Sequence, residues 1–261
     1  EIWVLLAEKA IAKWFGSYIQ IQGAYTMVPF LILTDVGYCR SFNQQNFTTY
    51  TEYKTELLDA RNRDSVKLNV VGNLSSDSVW YELENADKQN YVMAAWTTKD
   101  IPQQIGVGSS GEAIASDGIV KNHAYSIISA KTYICDGYIF RCIQVRNPWG
   151  ANPNAEWNGQ LSDQWHGWCH LPQLYNTLNI KSSSVDGMFW MLWCDFKIRF
   201  SDIGIAPKNM KTPKIGHIES LMTNDNTNIL LPANKKFKKQ FTSPISYNDV
   251  NFDINSFLNQ L

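Results

Sequence analysis

The chain has 261 residues, 44% of them hydrophobic and 18% charged, with 23 Lys and Arg against 24 Asp and Glu. That composition excludes a disordered, collagen-like or coiled-coil chain, and the length holds one large domain or a domain with an appendage. A formal net charge of −1 lacks the basic excess that draws in nucleic acid or anionic membrane, so neither is an expected partner.

No window reaches the ~18 apolar residues of a membrane-spanning helix. The opening stretch carries Glu8, Lys9 and Lys13, so it is no signal peptide and the chain reads as cytoplasmic. Five irregularly spaced cysteines, Cys39, Cys135, Cys142, Cys169 and Cys194, read as reduced thiols rather than a disulfide framework. The chain begins at Glu1 inside a helical pattern, which points to a piece of a longer polypeptide.

Residues 1–15 set Trp3, Leu6, Ala10 and Trp14 at helical spacing with Gly16 behind them, which predicts a helix packed on a core. A second helix is expected over Thr49 to Ala60, where Tyr50, Tyr53 and Leu57 fall on one face. From Val66 the pattern turns to β: VKLNVVG, SVWYELE, YVMAAWTT, HAYSIISAKTY and YIFRCIQVR, punctuated by turn-rich pieces such as Asp136-Gly137. These predict an antiparallel sheet. After FWMLWCDFKIRF the composition changes to scattered Pro and Asn and the basic run Lys235, Lys236, Lys238 and Lys239. Residues 205–261 therefore read as an extended arm or partial extra module. Its Lys run is either a solvated surface or a contact for an acidic partner, which salt would weaken.

His123 opens one strand pattern, and another ends at Asn147-Pro148-Trp149-Gly150. An antiparallel pair would bring this His and Asn to neighbouring strand ends. An imidazole acting as general base needs its second nitrogen held by an acceptor, and an Asn amide oxygen does this without adding charge. A Trp ring beside that hydrogen bond keeps water away and strengthens it.

Four segments, in order, carry a resemblance: IWVLLAEKAIAKWFGSY, KNHAYSIISAK, QVRNPWG with EWNGQLSD, and DGMFWMLWCDFKIRF. Together they resemble the second, His/Asn-bearing half of the calpain-family catalytic domain, a branch of the papain-like cysteine proteases. The resemblance implies an α+β papain-like fold, represented mainly by its antiparallel β half with a packed N-terminal helix over residues 1–204. It also implies catalytic roles for His123 as general base, Asn147 as its orienter and Trp149 as the cover of their bond. Family members carry Gly where Asn122 stands, and Asn is the side chain best tolerated in left-handed backbone. Residues 24–90 match the family poorly and read as containing an insertion.

The nucleophile is the largest departure. The family places it in a Gly-x-Cys-Trp context before the segment equivalent to residues 1–15, and no such motif occurs in the chain. Cys39 follows that helix and lacks the Trp, while Cys135, Cys142 and Cys194 sit in strand patterns as small core residues. The resemblance further implies calcium ligands at Glu156, Asp163 and Asp186. However, Met188 replaces a carboxylate and Asn152-Pro153-Asn154 lengthens the loop, so calcium binding is expected to be weak or absent. His166, Cys169 and His170 offer a zinc-like spacing without a fourth ligand and with two Trp beside them, which favours an aromatic patch.

Two functions follow from the resemblance. One is an intracellular cysteine endopeptidase acting on protein substrates, with its nucleophilic Cys upstream of this chain. The other is a silent calpain-like module docked through residues 205–261 in a large cytoskeletal, ciliary or axonemal assembly.

Overall fold

The computed structural model describes residues 2–21, 27–59, 62, 64–97, 104–107, 112–135, 137–180 and 185–210. The Lys run and the rest of the expected arm from residue 211 onward lie outside the described residues. Eight strands form one antiparallel sheet in the order β3-β2-β1-β10-β4-β7-β8-β9. They are β1 (Cys39–Asn46), β2 (Thr49–Leu57), β3 (Val66–Ser75), β4 (Val92–Thr97), β7 (Ala124–Cys135), β8 (Tyr138–Arg146), β9 (Met188–Leu192) and β10 (Phe200–Ala206). A separate two-stranded ribbon joins β5 (Gln104–Val107) to β6 (Ala113–Ala115). The helices are α1 (Ile2–Trp14), α2 (Met27–Thr34), α3 (Ser76–Lys88), α4 (Pro172–Leu178) and α5 (Trp193–Arg199). No described helix is long and apolar enough to cross a membrane.

Alternation along β8 and β9 divides the interior between the two faces of the sheet, because successive strand side chains point to opposite sides. Ile143, Val145, Phe189 and Met191 join α3 and α5 in the larger core, with Val79, Leu83, Trp193 and Phe196 buried among them. Phe140, Cys142, Trp190 and Leu192 face the opposite way, toward Trp168 of the 3₁₀ helix His166–His170 and Leu174 and Leu178 of α4. Each fully buried Phe or Leu contributes about 1.5–3 kcal/mol of transfer free energy. The β8–β9 end of the sheet is thus held from both sides, and His123 lies just before β7, the strand that pairs with β8.

The segment Thr49 to Leu57 is a strand, not the expected helix. Its buried residues are Tyr50, Glu52 and Thr55, a spacing of two and then three, because the β2–β3 register shifts between Glu52 and Tyr53. A bulge of this kind breaks strict alternation and imitates a helical period, while the Thr and Tyr content suits a pleated surface. The SVWYELE stretch is the reverse case. It lies in α3, where Ser76, Val79, Trp80, Leu83 and Ala86 are buried at helical spacing and the Ser75 hydroxyl caps the first turn by accepting from Ser78 N. That cap is the sequence signal for a helix start.

Helix α1 forms where the spacing places it, but its stripe is not enclosed. Ala12 is buried, whereas Leu6 is 62% exposed and Trp14 52% exposed. Periodicity specifies which face of a helix is apolar, not what covers it.

Candidate active site

A hairpin prepares the approach to His123. Residues 113–121 fold back on themselves through Lys121 N donating to Ala113 O at 2.7 Å, the Ile114–Val120 bridge, and Ala115 N donating to Ile119 O at 2.9 Å. Its tip is Asp117-Gly118, with Gly118 at φ +85°. A Cβ on Gly118 would stand 1.8 Å from the Glu156 carbonyl oxygen, so only glycine lets the tip lie against the loop that follows Asn147. Asn158 N donates to Asp117 O at 3.1 Å and the Asn158 amide donates to Ser116 O at 3.0 Å. Arg199 of α5 binds the Asp117 carboxylate. The chain leaves the hairpin through Asn122 at φ +53°, the left-handed geometry expected of Asn at that position.

His123 is then fixed through its own backbone. Its N–H donates to Thr97 Oγ1 at 3.0 Å, and its carbonyl accepts from Thr97 N at 3.1 Å. Tyr125 meets the ring edge-on at 5.0 Å between centroids. The side chain is 7% exposed. Burial of the Tyr125 hydroxyl raises it well above the ordinary phenol range, and the hydroxyl accepts a hydrogen bond from Val120 N at 2.8 Å. It therefore serves as a neutral strut of the hairpin.

Asn147 lies just past β8 and is fully buried. Its N–H donates to Gly187 O at 2.7 Å, its side-chain amide donates to Ala155 O at 3.0 Å, and its Oδ1 accepts from Trp149 N at 3.0 Å. The remaining direction of Oδ1 faces His123 Nε2 at 2.9 Å. A backbone N–H can only donate and a carbonyl can only accept, so the amide has one possible orientation. The Trp149 indole stands 4.9 Å from the imidazole centroid at a tilt of 55° and is 39% exposed. The structure thus brings His123, Asn147 and Trp149 together, and Trp149 contributes its backbone N–H as well as its ring. The other imidazole nitrogen, Nδ1, is 2.6 Å from Oε1 of Glu112, a residue that sequence reasoning missed. The Asp-Gly turn with matched residues on either side was the available signal, since 113–121 pairing sets residue 112 beside 122 and 123.

The cysteines do not approach this arrangement as nucleophiles. Burial pushes the Cys39 thiol up to about 12 and Cys194 up to about 11, and it also raises Cys142. A thiol held protonated in this way is inert. Cys135 is buried as well, and Cys169 is exposed on the 3₁₀ helix.

Asp163 and Asp186 lie close enough to Glu156 to act on its carboxyl electrostatically. Burial first, and then the two Asp carboxylates, push Glu156 up to about 7. Its Oε2 accepts from Gly187 N at 3.3 Å, while Asp186 Oδ1 accepts from Met188 N at 2.9 Å. Among the described residues, no group of three or more His, Cys, Asp or Glu stands close enough to hold a metal ion. A calcium ion needs 6–8 oxygens, more than these three side chains alone supply. The same finding applies to His166, Cys169 and His170. On a 3₁₀ helix residues four apart diverge by about 120°, and Trp165 and Trp168 pack edge to face at 5.2 Å, forming the aromatic patch.

The sequence matches the profile of the calpain family cysteine protease over residues 1–207. It is 29% identical over 214 residues to the calpain-type cysteine protease DEK1 of Arabidopsis thaliana, covering 81% of this chain and 8% of that protein. It is 31% identical over 207 residues to the calpain-type cysteine protease ADL1 of Oryza sativa subsp. japonica, covering 79% and 8%. It is 30% identical over 212 residues to the calpain-1 catalytic subunit of Bos taurus, covering 79% of this chain and 23% of that subunit. The chain therefore spans a small part of these relatives. With its antiparallel sheet, its helices and the His123–Asn147 pair, the chain belongs to the calpain family of cysteine proteases.

Proposed function

We propose that this chain supplies the general-base wall of a calpain-like cysteine endopeptidase site, with the nucleophilic cysteine carried by a preceding part of the polypeptide. The observation that carries this reading is the fixed Asn147 amide with Oδ1 facing His123 Nε2 at 2.9 Å. With Nε2–H donating to Asn147, Nδ1 is the nitrogen left to take a thiol proton. The resulting thiolate would attack the peptide carbonyl, and the imidazolium would return that proton to the leaving amine. Trp149 would keep water from the His–Asn bond. Substrates would be protein segments entering between this wall and the nucleophile-bearing half.

The test is alkylation at mildly acidic pH followed by peptide mapping of the native polypeptide. Rapid labelling of an upstream Cys beside Trp, abolished by His123→Ala, is the expected result, because an ordinary thiol near ~8.5 does not react under those conditions. The same substitution should lower kcat/KM for peptide hydrolysis by about 10²–10⁴-fold. Absence of any selectively labelled Cys would replace this reading with the silent docking module. Calcium enters no step here. We infer that Glu156, Asp163 and Asp186 bind it weakly at most, since Met188 supplies a thioether where a fourth oxygen would be needed. Calorimetric titration giving submicromolar affinity would overturn that inference.

A further inference from the structure

We propose that Thr97 is a positioning residue for His123, its hydroxyl standing in for a backbone carbonyl so that the imidazole meets Asn147 from a fixed direction. The proposal rests on the general-base reading of His123 and adds what aims the ring. Its first support is a substitution in the sheet ladder. Strands β4 and β7 pair Ala95 with Tyr125 and Trp96 with Ala124, so Thr97 and His123 come next in register. Opposed residues of a hydrogen-bonded pair in an antiparallel ladder exchange two backbone bonds, each N–H donating to the other's carbonyl. One of the two is present, with Thr97 N donating to His123 O at 3.1 Å. The other is redirected, because His123 N donates to Thr97 Oγ1 at 3.0 Å. The same hydroxyl donates back to His123 O at 3.3 Å. A hydroxyl carries one proton and two lone pairs, so a single side chain takes hold of both backbone groups of His123.

The second support is burial. Thr97 is buried, and a buried hydroxyl is costly unless it is hydrogen-bonded. An isosteric Val would fill the same space and suit a strand equally well, so what Thr adds at this place is its two bonds to His123. The third support is where His123 sits on the chain. It follows Asn122 at φ +53°, a left-handed reversal, and precedes β7, which begins at Ala124. The peptide between Asn122 and His123 therefore has no strand behind it to set its plane. Its N–H is the group that Thr97 Oγ1 holds, and that plane fixes the direction in which the side chain leaves the backbone. The target does not adapt: the Asn147 side chain is tied to Ala155 O and Trp149 N, with Oδ1 at 2.9 Å from Nε2. A tilt of the His123 backbone is thus not taken up on the Asn147 side. Tyr125 and Trp149 enclose the ring, but such contacts limit its space, whereas hydrogen bonds set direction.

The test is peptide hydrolysis by the native, nucleophile-bearing polypeptide, with active sites counted by titration to completion with an alkylating agent. Thr97→Val keeps the shape and removes the hydroxyl. It should lower kcat per site by about 10- to 10²-fold, the cost of a misaligned reacting group. KM should stay within about twofold, because transition-state alignment is lost and substrate binding is not. Thr97→Ser restores the hydroxyl and should bring kcat back to within about threefold of wild type. A Thr97 that served stability alone would lower the number of titratable sites and leave kcat per site unchanged; that result would overturn the proposal, as would a Ser variant as slow as Val. Residue-resolved amide exchange reads the clamp without activity. The His123 N–H should lose about tenfold or more of its protection in Thr97→Val and keep it in Thr97→Ser, and equal protection in all three proteins would overturn the proposal. The general-base reading fails separately, on unchanged hydrolysis by His123→Ala, so the two failures are distinguishable.

Discussion

The wall around His123 and the helix α1 meet opposite fates in one chain. In the wall, polar groups are buried and partnered: Asn147 is fully enclosed, its side chain bridges the His123 ring to two backbone groups, and Thr97 holds the His123 backbone on both sides. In α1, apolar groups are exposed, with Leu5 at 65% and Leu6 at 62%. Side-chain hydrogen bonds close locally, over separations of 8 residues for Asn147 to Ala155 and 24 for His123 to Asn147. An apolar stripe needs a facing surface, and α1 packs chiefly on the 3₁₀ helix Ile19–Ile21. The polar site closes on itself through its own hydrogen bonds, whereas Leu5 and Leu6 of α1 stay exposed among the described residues.

The largest break in that contrast should come from Asn147→Ala. It leaves the Ala155 carbonyl and the His123 Nε2–H without their partners in a buried site, which costs about 1–3 kcal/mol per orphaned group. Urea denaturation should show a loss of about 3 kcal/mol, and Asn147→Asp should lose less because it keeps the acceptor. Gly118→Ala should follow, at about 2 kcal/mol, from a left-handed backbone and an added Cβ against the Glu156 carbonyl. The His123 ring signal should broaden with it, because the hairpin carries both Glu112 and the approach to His123.

A smaller effect lies at Asp195, whose Oδ2 is buried without a hydrogen-bond partner among the described residues. Burial pushes its carboxyl up to about 6, the Arg199 charge opposing this and Asp117 adding to it. An acid raised above its unfolded value stabilises fully below that ordinary value, and the contribution is lost as pH rises through the folded one. Thermal midpoints should therefore decline between about pH 4 and 7, and Asp195→Asn should flatten that slope. The smallest effect on stability belongs to α1. Leu6→Glu should change unfolding free energy by less than about 0.5 kcal/mol, yet it should reduce any self-association seen by size-exclusion chromatography, since exposed apolar patches seek partners. A large stability loss there would mean that α1 is packed after all.

Much of this could be read from residues in order. The β7–β8 hairpin was legible from two β-rich runs around Asp136-Gly137, and the left-handed Asn122 was legible because few other side chains accept that backbone. Strand β2 was not, because its bulge at Glu52 and Tyr53 is a property of pairing with β3 rather than of its own composition. Helix α3 is harder to read, because Val79, Trp80 and Tyr81 imitate a strand run, although Ser75 signals its start. Glu112 escaped notice because an isolated carboxylate eleven residues before a His has no meaning until the hairpin folds.

The sequence by itself carried the resemblance to the calpain family and, through it, the expectation of an antiparallel β half and of the His123, Asn147 and Trp149 set, because these rest on contiguous motifs. Only the tertiary structure decided the rest. It buried the thiols of Cys39 and Cys142 and partly that of Cys194, left Leu6 and Trp14 of α1 exposed among the described residues and brought Glu112 to Nδ1, because burial and side-chain pairing depend on which distant segments come to lie within a few ångströms.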